Sequence, residues 1–228
     1  MPGLMMFDPV MMIVLLPALI LSIYAQYKVR STYAKYLNVP IQKKITAERA
    51  AELILREAAV DGVKIESTNR PLGDHYDPRS RALRLSAASS NSVAAVGVAA
   101  HEAGHAIQHA HGYAPLALRS TIVPVATFGS QLAFPLFFIG VFLGQGLLLN
   151  IGIILFSAAV FFTLVTLPVE FNASRRAMAA LSAGGIVSQA ELAGVKRVLN
   201  AAALTYVAAA AMAALQLLSM LMMANRRR

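Results

Sequence analysis

Fifty consecutive residues, Ser120 to Val169, carry no charged side chain. As a helix this stretch would run about 75 Å at roughly 1.5 Å per residue, too long for one crossing of a hydrocarbon core and suited to two. The turn between them is expected at Gly144-Gln145-Gly146, close to Asn150. Two further runs are uncharged: the 19 residues Pro9 to Tyr27, and Val198 to Asn225 after Arg197. Each is long enough for one span, so the chain is expected to cross a membrane four times. Composition agrees, with 57% hydrophobic and 14% charged residues and a mean hydropathy of +0.61. A soluble domain carries about a quarter charged residues.

The first span reads as retained. A secretory signal would place Lys or Arg before the apolar run and small residues after it, whereas the first eight residues carry only Asp8, and Tyr24 and Tyr27 follow. The net charge of +9 raises nucleic acid as a partner, and the placement of the charges argues against it. Of 20 Lys and Arg, 13 lie between Lys28 and Arg119, 4 between Glu170 and Arg197, and none in the Gly144 hairpin. This puts 17 basic residues on one side, which the positive-inside rule makes cytoplasmic, and the N-terminus outside. Four spans then put Arg226, Arg227 and Arg228 outside against the same rule, and the larger bias decides. The basic side chains read as a solvated face toward anionic lipid. The lipid bilayer is thus an expected partner, and nucleic acid is not.

The fold class that follows is a mostly α membrane protein: four transmembrane helices plus a small α+β cytoplasmic subdomain built from a helix and a short β-hairpin. The expected organisation is a transmembrane helix over 1–27, a cytoplasmic segment over 28–119, a transmembrane hairpin over 120–169, a cytoplasmic loop or helix over 170–200, and a last transmembrane helix over 201–228. Within the cytoplasmic segment, Thr46 to Ala59 has apolar residues at helical spacing with charges between them, and Asp61-Gly62 ends it. Val63 to Glu66 alternates like a strand. Asp77 to Ser80 lies between Asp74-His75-Tyr76 and Ala82 to Leu85 as a hairpin turn would. Ser89-Ser90-Asn91-Ser92 offers caps for a long helix starting near Val93.

On that helix stands His101-Glu102-Ala103-Gly104-His105, the HExxH pattern. Imidazoles four residues apart on a helix lie about 40° apart around it and roughly 6 Å along it, so both reach one ion from the same face. Zinc accepts neutral imidazole, and Glu102 stands beside the ion as a candidate base. The absence of Cys restricts any metal to His and carboxylate ligands. An unpaired carboxylate in the apolar setting of Val96 to Ala100 would otherwise be costly.

Three residues compete as third ligand. His109 continues the ladder but lies about 12 Å along the helix from His101, too far for one ion. His111 gives the spacing HExxHxxxxxH, yet the helix-breaking Gly expected three residues after the second His is Gln108, and Gly112 comes too late. Glu170 lies 65 residues past His105, and two intervening spans return it to the face of the membrane that carries the HExxH helix. An ion pair with Arg175 or Arg176 is the alternative use of that carboxylate.

Three blocks, His101 to Gln108 (HEAGHAIQ), Leu72 to Pro78 (LGDHYDP) and Leu167 to Ala177 (LPVEFNASRRA), resemble the YugP-like neutral zinc metallopeptidases of bacterial membranes. The resemblance extends through Gly112-Tyr113 with Arg119 and through Ala201 to Ala209, nearly the whole chain. It implies a zincin-like subdomain, a Zn2+ cofactor held by His101, His105 and Glu170, Glu102 as catalytic base, and a protein or peptide substrate. It also implies a multi-pass protein of the bacterial inner (cytoplasmic) membrane. One position departs from the family pattern: Asn172 stands where an Asp is usual, which bears on the tuning of the histidines.

The expected reaction is peptide-bond hydrolysis by metal-activated water, with Glu102 moving the proton. His75, or Tyr76 beside it, is the expected donor to the oxyanion, and the hairpin edge is a place for substrate to add as a strand. Two rival expectations are an intramembrane-cleaving protease and a non-catalytic zinc-binding scaffold or holdase. The polar run Ser86 to Ser92 argues against the first by leaving too short an apolar stretch before His101. The small residues of the third and fourth spans permit close helix packing, within one chain or between copies.

Overall fold

The computed structural model describes residues 9–226, with side chains from Ile13 onward. The readings made on residues 1–8 and on Arg227 and Arg228 lie outside the described residues. The order of elements is α1 (Pro9–Leu37), α2 (Ala47–Glu57), β1 (Lys64–Ser67), β2 (His75–Asp77), β3 (Ala82–Leu85), α3 (Val93–Ala110), α4 (Ala114–Leu143), α5 (Gly146–Ala183) and α6 (Gln189–Asn225). Among the described residues, α1, α4, α5 and α6 are long and apolar enough to cross a membrane. The chain divides into two compact units, each made from discontinuous segments.

The unit that carries most of the charged residues comprises Tyr27–Ala117 and Pro168–Leu204. Its three-stranded sheet has the order β1-β3-β2, with β2 antiparallel to β3 and β1 parallel to it. The antiparallel pair is the hairpin expected across Asp77 to Ser80. The parallel pair joins segments that are not adjacent in sequence, and alternation alone does not reveal it. Thr46 caps α2, accepting from the Arg49 amide, and Ser92 caps α3 in the same way from Ala95. α3 is buried around most of its circumference, so it is the central element. Ile54 and Leu55 of α2, Leu83 and Leu85 of β3, Leu181 of α5 and Val195 of α6 belong to the same core as α3.

The other unit comprises the chain up to Gln26, Leu118–Leu167 and the chain from Thr205. α4 and α5 meet there through small residues: a Cβ on Gly152 would stand 2.7 Å from the Ala133 carbonyl, and one on Gly129 3.0 Å from that of Leu155. Phe137, Phe156 and Val160 fill the core with Met220 and Ala224 of α6. Ile13, Leu16, Ile20 and Ile23 of α1 stay exposed, as lipid-facing side chains do. Gly144, in the left-handed region at φ 67°, makes the turn between α4 and α5 where the sequence places it.

Neither α5 nor α6 is confined to its uncharged stretch. α5 continues past Val169 through Glu170, Arg175 and Arg176 to Ala183 despite Pro168, and α6 begins at Gln189, ahead of Lys196 and Arg197. The segments apolar enough to cross are the uncharged parts, and the charged turns extend beyond them.

Candidate metal centre

The central helix α3 carries an unusual load of buried polar side chains: Glu102, His105 and Gln108 are all at or below 9% exposure. α5 supplies a fourth, Glu170, at 2%. Buried charge of this kind persists only with close partners, and here the partners are each other. His101 Nε2 lies 3.2 Å and His105 Nε2 3.6 Å from Glu170 Oε2. The two imidazoles meet edge to face with centroids 4.8 Å apart. One donor atom from each of His101, His105 and Glu170 falls within 4.8 Å of the others.

The far side of each ring is also held. His101 Nδ1 is 3.1 Å from Ser174 Oγ, one helical turn after Glu170, and His105 Nδ1 is 3.0 Å from Gln108 Oε1. Both rings therefore turn Nε2 toward the carboxylate. Burial acts to lower the His105 imidazole, and hydrogen bonding to Glu170 with the nearby Glu102 and Glu170 charges reverses this, leaving it raised. Burial likewise acts to raise the Glu170 carboxyl, and hydrogen bonds from His101 and His105 hold it well below the ordinary carboxylate range. An ionised carboxylate facing two nitrogens is a site that favours positive charge.

The donor set fits zinc. Ligand atoms about 2.0–2.2 Å from one tetrahedral ion stand roughly 3.3–3.6 Å apart, and the two contacts to Glu170 Oε2, at 3.2 and 3.6 Å, match that spacing. Three protein ligands would leave a fourth position available, as in catalytic sites.

Glu102 lies on the same helix, and its Oε2 accepts from the Tyr76 amide of β2 at 2.9 Å. That edge-strand amide is thus committed to Glu102. The Tyr76 hydroxyl is 2.9 Å from His109 Nδ1, which ties the exposed end of α3 to the sheet. His75 is not brought to the cluster. Successive strand residues point to opposite faces, and while Tyr76 reaches α3, the exposed ring of His75 has Nδ1 2.8 Å from Gly73 O and Nε2 3.3 Å from Arg84 of β3. His111 caps α3 at its C-terminal end, exposed, with Nδ1 3.5 Å from Arg176 Nη1. Nothing in the HExxH pattern itself singles out Gln108 and Ser174 as partners of the histidines. Both share a helical face with the proposed ligands, three residues after His105 and four after Glu170, and that spacing was the available signal.

The chain matches the family described as "Putative neutral zinc metallopeptidase" over residues 11–225. It belongs to that family. It is also 47% identical over 207 residues, 90% of this chain and 92% of the relative, to the "Putative membrane protease YugP" of Bacillus subtilis strain 168. No solved structure matches it. With four long apolar helices among the described residues, this member of the family is a multi-pass membrane protein.

The family site also gives Asn172 a place. Its Oδ1 accepts from Gln108 Nε2 at 3.0 Å and from Arg176 Nε at 2.8 Å. Gln108 thus stands between this position and His105.

Proposed function

We propose that this protein is a membrane-anchored zinc metalloendopeptidase in which His101, His105 and Glu170 hold the metal and Glu102 is the general base. The observation that carries the reading is the convergence of two imidazole nitrogens and a buried carboxylate from α3 and α5 within 4.8 Å, beside a buried glutamate in HExxH spacing. Zinc held by these three residues would supply a Lewis acid for the scissile carbonyl and make the attacking water acidic near neutral pH.

Glu102 does the proton work. The Tyr76 amide fixes Oε2, which leaves Oε1 to accept the proton of the attacking water and return it to the leaving amine. Burial of Glu102 keeps competing water from that carboxylate. Tyr76, whose phenol burial pushes up, stays a hydrogen-bond donor at neutral pH, and its place on the strand that contacts Glu102 makes it, with His75, a candidate donor to the oxyanion once its hydroxyl leaves His109 Nδ1. β2 is an edge strand, and a peptide added to it competes with Glu102 for the Tyr76 amide.

The charge asymmetry supports a zincin-like subdomain on the cytoplasmic side of a bacterial inner membrane, acting on proteins or peptides at that surface. The deciding experiment is Glu102→Gln in the full chain, assayed for zinc content and for cleavage of a quenched-fluorescence peptide library. Cleavage should fall by about 10²- to 10⁴-fold with zinc retained. Undiminished cleavage overturns the base assignment, and zinc-loaded wild type inert toward every peptide favours a structural scaffold.

A further inference from the structure

A buried glutamine has its orientation decided by its neighbours, because its oxygen only accepts and its nitrogen only donates. Gln108, at 0% exposure, has three of them. The Val169 carbonyl, 2.8 Å away, only accepts. The second is Asn172, whose own orientation is set by Arg176: a guanidinium has no acceptor, so the atom 2.8 Å from Arg176 Nε is Oδ1. That oxygen is the one 3.0 Å from Gln108. Two independent acceptors on α5 therefore turn the Gln108 nitrogen toward themselves. Its oxygen is left facing His105 Nδ1 at 3.0 Å, and an oxygen that only accepts obliges Nδ1 to carry the hydrogen.

We propose that Arg176, Asn172 and Gln108 form a hydrogen-bond relay, with Arg176 and Gln108 both donating to Asn172 Oδ1, that fixes the proton on His105 Nδ1 and so dictates that His105 meets the metal through Nε2. The proposal rests on the reading of His105 as a metal ligand. Gln108, Asn172 and Arg176 are positioning residues, and none of them touches substrate. His101 is different. Its Nδ1 partner is the Ser174 hydroxyl, which donates or accepts equally well and dictates no tautomer. The relay also uses only the oxygen of Asn172, so an aspartate in its place keeps both contacts, whereas a leucine breaks the line between Arg176 and Gln108.

The test uses the full-length protein in detergent micelles, with zinc affinity measured by competition against a fluorescent chelator and the His105 proton located by long-range 15N–1H NMR. Gln108→Leu should weaken zinc binding by about 10- to 100-fold, the range for losing a partner of a ligand histidine. Arg176→Met and Asn172→Leu should weaken it in the same direction and by less, and Asn172→Asp should bind zinc at least as tightly as the wild type. Arg176 is only partly buried, so its variant keeps the test valid if Gln108→Leu fails to fold. Equal affinity in the wild type and in both Gln108→Leu and Arg176→Met overturns the relay, as does zinc on His105 Nδ1. Wild type that binds no zinc overturns the metal reading instead, and the relay, which acts on that ligand, falls with it.

Discussion

A Cβ on Gly104 would stand 2.6 Å from the carbonyl oxygen of Ala173, so α3 and α5 touch backbone to backbone at the level of the HExxH pattern. The contact lets Glu170, three residues before Ala173, reach His101 and His105 on either side of Gly104. Two rigid helix backbones cannot absorb the added methyl as a flexible side chain would.

Gly104→Ala is therefore expected to push the two helices apart. Overpacking costs about 1–3 kcal/mol, and the better helix propensity of Ala returns up to about 1 kcal/mol. Stability should fall modestly while zinc affinity falls by at least about tenfold, because the ligands lie on the separated helices. Zinc titration together with thermal unfolding checks this; unchanged zinc affinity would mean that the metal does not depend on this approach.

Removing Glu170 should cost the metal, and removing His111 should not. Glu170→Ala leaves two imidazoles without the anion between them, whereas the exposed ring of His111 faces Arg176 at the end of α3. Zinc content of the two variants after dialysis separates them, and a zinc-free His111→Ala with a zinc-loaded Glu170→Ala would reverse the ligand assignment.

Acid should loosen the junction at the start of α6. The Glu191 carboxylate accepts from the amide and hydroxyl of Ser188, at 2.7 and 2.8 Å, and from the Gln42 amide at 2.7 Å, a capping box that also pins the α1–α2 loop. Burial acts to raise this carboxyl, and the hydrogen bonds from Ser188 and Gln42 outweigh it and hold it below its ordinary 4.5. A lowered folded-state pKa contributes stability that is present above about pH 4.5 and is lost as the pH falls through the folded value. Glu191→Gln should lower stability by about 0.5–2 kcal/mol at pH 7, the range for a cap. The gap to wild type should close as the pH drops below 4.5 in thermal unfolding followed by circular dichroism, and a gap that widens in acid contradicts the assignment.

The sidedness of the site is open to a single-thiol experiment, because the sequence has no Cys. Ala110→Cys places one exposed thiol at the end of α3. A membrane-impermeant maleimide should label it in inverted vesicles and leave it unlabelled in intact cells. Labelling of intact cells would put the centre on the outer face.

Much of the centre could be read from the order of residues. His101, Glu102 and His105 share one helix, where spacing fixes geometry, and Glu170 was reachable because charge-free lengths count membrane crossings. His75 and Tyr76 are not separable in the sequence, because a strand's alternation tells that neighbours point oppositely without telling which one faces the helix. The helices α5 and α6 run past their uncharged stretches, since hydropathy reports where lipid ends and not where the backbone hydrogen bonds end. In the sequence Gln108 shows only as the residue that is not a glycine.

The sequence by itself determined the spans, the helix with its metal-binding spacing, and the candidate third ligand, because these depend on local periodicity and on lengths without charge. Only the tertiary structure decided that β1 joins β3 in parallel, that Tyr76 rather than His75 meets Glu102, and that Gln108, Asn172 and Arg176 line up behind His105. Each of these is a meeting of segments distant in sequence, set by how closely backbones approach at residues such as Gly104, and no local pattern encodes that distance.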